Sequence, residues 1–427
     1  MSSSVYLIEG ARTPILKARG KAGPFASADL ATLAGRHLMM KTNINADDID
    51  ETILGCVMPS EREANIGRVA SLRIGVPESV PAWTVQRNCA SGMQAVDCAM
   101  NRIQLGHSDI VLAGGSEAMS RAPIMFSDKY VGFLGRLMAA RTPIAKLKVI
   151  SSFRPSLLTP VFALEHGLTD PVVSLNMGQT AEKIAERFGI TRPQMDEWAV
   201  RSHLRATEAA EAGVFEDEIV PVIDGSGKLY ERDDGVRADS NVEKLSTLKP
   251  VFEKPYGKVT AANSSQISDG AAWVLLASES AVERLNLKPI AKITDVRWAG
   301  LDPAEMGLGP AHAIAELLTA NDLNMGDIDY WEINEAFAAQ VLACVEAMAS
   351  DDYCREKIGL QSALGNLPID RLNIHGGAVA CGHPVGMSGA RIILHMARTL
   401  HLQNAQRGVA SLCIGGGQGG AALIERV

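Results

Sequence analysis

No apolar run in the sequence approaches the roughly twenty residues that a membrane-spanning helix needs. Stretches such as Ile110-Val-Leu-Ala-Gly-Gly are short and read as buried strands. The opening residues, Met1-Ser-Ser-Ser-Val-Tyr-Leu-Ile-Glu-Gly-Ala-Arg-Thr-Pro, show neither a basic segment nor a long apolar one, which argues against a secretion signal. A C-x-x-C pair is also absent. The seven cysteines (56, 89, 98, 344, 354, 381 and 413) are odd in number and scattered, which speaks against a disulfide framework or a zinc ribbon. Reduced thiols in the cytoplasm are expected, with no metal site. An excess of positive charge is missing as well. The formal net charge of -8 excludes a general nucleic-acid binder, although a local basic patch could still hold an anion.

What is present is globular composition, 47% hydrophobic and 21% charged over 427 residues, enough for two or three subdomains. The chain also repeats itself. Asn45, Asp48, Ala34 and Leu38 recur as Asn324, Asp327, Ala313 and Leu317, all at one offset of 279. Ser91-Gly92 opens a helix that leads to the strand at Asp109–Gly115, and Ser388-Gly389 opens one that leads to Gly408–Gly417. Two similar helix-strand units are the economical reading. Apolar strands alternating with amphipathic helices imply an α/β protein whose site residues lie at strand ends and helix starts. The expected division is residues 1–120 with 250–284 as one half, 285–427 as the other, and 121–249 as an inserted subdomain. Within that insertion, residues 129–164 hold Lys129, Arg136, Arg141, Lys146, Lys148 and Arg154 among apolar residues and no acid. Such an element could pack on its own domain, or meet a peripheral membrane surface, a partner subunit or the phosphates of a ligand.

Four motifs carry chemistry. Cys89, in Asn-Cys-Ala-Ser-Gly, precedes a helix start, where unpaired N–H groups favour thiolate. His383 lies in a glycine-punctuated loop, Gly376 to Gly389, just before another helix. Cys413 ends a buried strand at Cys-Ile-Gly415-Gly-Gly, a run that can bring bare backbone N–H groups to a ligand. Asn334, in Asn-Glu-Ala-Phe, closes a further apolar segment and could equally be a helix cap.

In this order and near these spacings, the four motifs resemble the thiolases along essentially the whole chain. The middle segment is similar to the thiolase β-subunit of fatty-acid-oxidation trifunctional enzymes, on Ile150-Ser-Ser-Phe-Arg-Pro, Lys254–Ser265 and Gly416-Gly-Gln-Gly. That branch has His-Glu-Ala-Phe where this chain has Asn334-Glu-Ala-Phe. The resemblance implies a duplicated α/β/α/β/α layered fold with an inserted loop subdomain. It also implies an acyltransferase of fatty-acid metabolism that cleaves 3-ketoacyl-CoA with CoA, the two acting as substrates and no cofactor being tightly bound.

By that likeness Cys89 carries the acyl group, His383 is its base, Asn334 and His383 hold the first oxyanion, and Cys413 is the second acid/base. Backbone N–H groups of Cys89 and Gly415 hold the second oxyanion, Ser265 meets the pantetheine arm and Met177 the acyl chain. A homodimer or tetramer is implied, with a hydratase/dehydrogenase α-subunit as a candidate partner. The alternatives are a biosynthetic acetoacetyl-CoA thiolase that condenses two acetyl-CoA, and a docking β-subunit of a multienzyme β-oxidation complex. A ketosynthase would lack the second cysteine.

Overall fold

The computed structural model describes residues 4–42 and 44–427. Its centre is a ten-stranded mixed sheet, in the order Tyr330–Ile333, Arg407–Ile414, Gln418–Arg426, Ala291–Gly300, Val5–Arg12, Ser268–Ser278, Ile110–Ala118, Glu51–Gly55 and Ala82–Val85, with Leu16–Lys17 attached to Ser268–Ser278. Apart from the edge strand Ala82–Val85, the order is symmetric about the antiparallel contact between Val5–Arg12 and Ala291–Gly300. On each side of it two antiparallel pairings are followed by a parallel one. Even an irregularity repeats, since the register shifts between Leu7 and Glu9 and again between Ile293 and Asp295. The internal repetition of the sequence is thus a repetition of topology.

Period-two alternation in the strands explains the layering. In Ile110–Ala118, Val111 and Ala113 face the helices Ser91–Gln104 and Ser388–Leu402, whereas Ile110 and Leu112 face helix Ser27–Thr42. In Gln418–Arg426, Ala422 and Ile424 face the same central pair, and Ala421 and Leu423 face helix Gly309–Ala320. The two central helices are therefore covered by sheet on both sides, which accounts for the nearly continuous burial of Ser388–Leu402 and for the buried positions along Ser91–Gln104.

These two helices meet at glycine. A Cβ on Gly92 would lie 2.8 Å from Ala390 N and 2.9 Å from Gly386 O, and one on Gly389 would strike Met93 N. A Cβ on Gly115 would collide with Gly386 O. The Ser-Gly pair found twice in the sequence marks this crossing, where no larger residue fits without moving backbone.

Between the two halves the chain leaves the sheet. Helices Met177–Arg187 and Arg192–Glu211 each begin with a capping box, Asn176 with Gln179 and Thr191 with Gln194. This region is tied to the core by buried charge. Arg12 donates to both Asp233 oxygens at 2.7 and 3.0 Å and to Glu218 at 3.0 Å, and Glu218 also meets His395 Nδ1 at 3.1 Å. Residues 124–162 form a separate excursion, a short ribbon (Ile124–Phe126 with Pro160–Phe162) bearing helices Asp128–Ala139 and Pro143–Ser151.

Replacing Gly92 by Ala is expected to cost about 1–3 kcal/mol and to lower the urea midpoint without changing the slope. Gly135→Ala, in an exposed helix with nothing within 4 Å of the new Cβ, is expected to hold or raise that midpoint. Equal midpoints for the two variants would contradict the close-packing account.

Candidate active site

Strand Ala82–Val85 leads into a tight turn in which Asn88 takes φ 43°. Asparagine tolerates this left-handed conformation better than most residues. Ser91 Oγ holds the turn by accepting from Arg87 N at 2.9 Å and donating to Asn88 O at 2.7 Å. Asn88 Nδ2 reaches across to Gly415 O at 2.8 Å, joining the turn to the end of strand Arg407–Ile414. The backbone N–H groups of Cys89 and Gly415 both point at the Cys89 sulfur. Gly416 and Gly417, at φ 92° and 76°, make the reversal into the last strand. Gly415 itself needs no left-handed backbone; a Cβ there would face Met177 Sδ at 3.5 Å. Its value lies in leaving the cavity open.

Cys89, His383, Cys413, Ser265 and Met177 line one cavity of about 490 Å³. Its remaining walls are mostly apolar, with Leu168, Phe252, Ile267, Met306 and Phe337 among them. Asn334 stands behind the wall, fully buried, its amide nitrogen 3.4 Å from His383 Nδ1. Two buried polar atoms here have no protein partner, His383 Nε2 and Asn334 Oδ1. Buried polar atoms are rarely left so, and at a cavity wall they are the natural contacts for a substrate or its water.

Three features of this site were not legible as functional in the sequence. Ser388 Oγ lies 2.6 Å from His383 Nδ1 and donates to Pro384 O at 3.0 Å. Glu335 is wholly buried and turned away from the cavity. Its carboxylate accepts from Trp198 Nε1 (3.0 Å), Ser202 Oγ (2.6 Å), Asn373 Nδ2 (3.0 Å) and Val379 N (3.2 Å), so it braces Asn334 and the approach to His383 against the insertion. Glu117 accepts from Val57 N and Met58 N at 2.9 and 3.0 Å and from Gly386 N, fixing the loop that carries His383. Burial pushes the Glu117 carboxyl up to about 7, its backbone donors opposing that shift.

The electrostatics differ from the expectation drawn from a helix start. Although Cys89 is only half-buried, desolvation pushes its thiol up to about 11, against the pull of the two N–H groups. Helix Ser91–Gln104 begins two residues later, and partial charges at its end do not outweigh the apolar surroundings. Burial, aided by Arg391, lowers His383 to about 3, and burial raises Cys413 well above the ordinary thiol range. At neutral pH the site holds two thiols and a neutral imidazole.

The chain has known relatives over its whole length. Residues 5–280 match the family model described as "Thiolase, N-terminal domain" and residues 287–426 that described as "Thiolase, C-terminal domain". The chain is 37% identical over 426 residues to a probable acetyl-CoA acyltransferase of Staphylococcus aureus (strain N315), covering 99% of each. Among solved structures it is similar to human mitochondrial 3-ketoacyl-CoA thiolase in complex with CoA (TM-score 0.85, 32% identity, 100% of this chain and 98% of that one). It is also similar to the Bacillus anthracis acetyl-CoA acetyltransferase (TM-score 0.86, 35% identity, 100% and 99%). Among the described residues no helix is long and apolar enough to cross a membrane, and no group of three or more His, Cys, Asp or Glu is placed to hold a metal.

With a thiol near 11 beside an imidazole near 3, alkylation of Cys89 by iodoacetamide is expected to accelerate continuously from pH 7 to pH 10. Mass spectrometry of the labelled peptide follows the rate. A plateau already reached at pH 7 would mean a resting thiolate–imidazolium pair and overturn the neutral site.

Proposed function

We propose that this chain, which belongs to the thiolase family, cleaves 3-ketoacyl-CoA with CoA to acetyl-CoA and an acyl-CoA two carbons shorter, as a degradative enzyme of fatty-acid β-oxidation. The observation that carries this reading is the convergence of Cys89, His383 and Cys413 on one mainly apolar cavity. An apolar wall built from Leu168, Met177, Phe252 and Met306 offers more surface than an acetyl group can cover.

In the first half-reaction Cys89 Sγ attacks the 3-keto carbon while His383 Nε2 takes the thiol proton. Ser388 positions this base. With its hydroxyl proton on Pro384 O, Ser388 would accept from His383 Nδ1–H and leave the lone pair on Nε2, the tautomer that the proposed proton transfer requires. The C2–C3 bond then breaks, leaving the acyl group on Cys89 and releasing acetyl-CoA as its enolate. The Nε2–H just formed, with a water on Asn334, stabilises the enolate oxygen. Imidazolium is disfavoured in the empty site and becomes favourable when a substrate oxyanion completes the pair.

Cys413 next gives its proton to C2 of the enolate, a task suited to a thiol whose burial keeps it protonated. The resulting thiolate deprotonates CoA, whose sulfur attacks the acyl-Cys89 thioester. The second tetrahedral oxyanion lies against the N–H groups of Cys89 and Gly415, which in the resting site point at the sulfur itself. Collapse releases the shortened acyl-CoA and returns the proton from His383 to Cys89. Ser265, on the cavity wall, would meet the pantetheine arm, and Met177 the acyl chain.

A chain-length profile of thiolysis tests the degradative reading. Turnover of C8 to C16 3-ketoacyl-CoA is expected, and activity confined to C4 would assign the chain to acetoacetyl-CoA instead. Cys413→Ala is expected to keep acylation of Cys89 by a reactive thioester while losing exchange of the acetyl-CoA α-protons into deuterated water; retained exchange would remove Cys413 from its role. Ser388→Ala is expected to lower kcat by about tenfold or more with KM little changed, and an unaltered kcat would leave Ser388 without a role in orienting His383.

A further inference from the structure

We propose that the buried ion pair between Arg391 and Glu332 positions the first oxyanion site, by holding the strand that ends before Asn334 against the helix start that anchors His383. The inference rests on the thiolysis reading, which gives Asn334 and His383 that role. Glu332 stands in strand Tyr330–Ile333 two residues before Asn334, so the alternation of the strand sends both side chains to the same side. Arg391 stands three residues after Ser388 in helix Ser388–Leu402, so these two share a helix face. The helix packs on the strand, and two rungs join them. In one, Ser388 Oγ lies 2.6 Å from His383 Nδ1, which lies 3.4 Å from Asn334 Nδ2. In the other, Arg391 Nη2 donates to Glu332 Oε1 at 3.2 Å.

Stability does not account for the second rung. Its side chains are only 6% and 3% exposed, yet the guanidinium reaches Glu332 with Nη2 alone and its Nε has no protein partner. Arg12, by contrast, donates to both oxygens of Asp233 and to Glu218. Burying two charges for one contact is costly, and apolar side chains of similar volume would hold strand and helix together as well or better. What apolar contact lacks is direction. A single N–H···O bond between opposite charges admits a narrow range of separations, and so fixes how far the strand stands from the helix. The site needs that precision at Asn334. Ser388 anchors His383 from its own helix, whereas Asn334 Oδ1 has no protein partner and its amide nitrogen meets His383 only at a long distance. Asn334 is thus placed by its backbone, and Glu332 ties that backbone to the helix.

Acetyl-CoA as the single probe separates the two oxyanion sites. Exchange of its α-protons into deuterated water uses Asn334 and His383, whereas acylation of Cys89, followed by protein mass, uses the backbone N–H groups of Cys89 and Gly415. Arg391→Met with Glu332→Leu is expected to keep or raise the urea midpoint, to slow exchange by about tenfold or more, and to leave acylation within about threefold. Arg391→Lys, which can still make the one contact to Glu332, is expected to exchange within about threefold of the unaltered protein. Should the double variant not fold, Glu332→Asp draws the carboxylate back by one methylene, and exchange is expected to fall by about threefold or more with acylation unchanged. Exchange unaltered in the folded double variant or in Glu332→Asp would overturn the proposal. So would exchange and acylation falling in parallel, or a failure of Arg391→Lys to preserve exchange. If the unaltered protein exchanges no α-protons, the thiolysis reading itself falls and the inference with it, an outcome seen before any variant is made.

Discussion

The contact on which the rest of this structure depends is the crossing of two buried helices at Gly92 and Gly389, with Gly115 and Gly386 stacked beside it. Each helix comes from one half of a duplicated fold, and each is preceded by a loop that bears one candidate site residue, Cys89 or His383. With no Cβ at the crossing, backbones approach closely enough for the two loops to open into the same cavity. A methyl group there would have to displace main-chain atoms, because the neighbours are carbonyl and amide groups with no freedom to rotate away.

Around this crossing, buried carboxylates act as braces. Glu335 gathers donors from the insertion helix, from Asn373 and from Val379, while Glu117 gathers backbone amides from two loops. Each satisfies several groups that would otherwise be stranded in an apolar interior, and each holds irregular backbone in place where no ladder of strand hydrogen bonds exists. The same burial that makes these braces strong keeps the reactive groups neutral at rest. In the free site these groups form no ion pair, and His383 Nε2 and Asn334 Oδ1, both without a protein partner, are left free to take a proton and a water.

Much of this was legible beforehand because the informative residues are of types whose chemistry is narrow. A cysteine after Asn88, a histidine among glycines and a second cysteine before Gly415 stand out in one dimension, and the constant offset between Asn45 and Asn324 announces the duplication. Ser388 and Glu117 did not stand out. A serine at a helix start and a glutamate in a strand are common, and their meaning depends on partners 5 and 59 to 60 residues away that only folding supplies. The basic excursion was visible as composition, while its outward-facing apolar side emerged from the packing of Phe133 and Phe153.

By itself, then, the sequence determined the alternation of strands and helices, their doubling and the candidates for the reactive groups, since these follow from local periodicity and from side-chain chemistry. Tertiary structure alone decided the protonation state of those groups, the nitrogen of His383 left without a protein partner, and the side of residues 124–162 that meets solvent. Those properties depend on desolvation and on contacts between residues far apart in the chain, and desolvation is a property of the surrounding volume, which no single segment encodes.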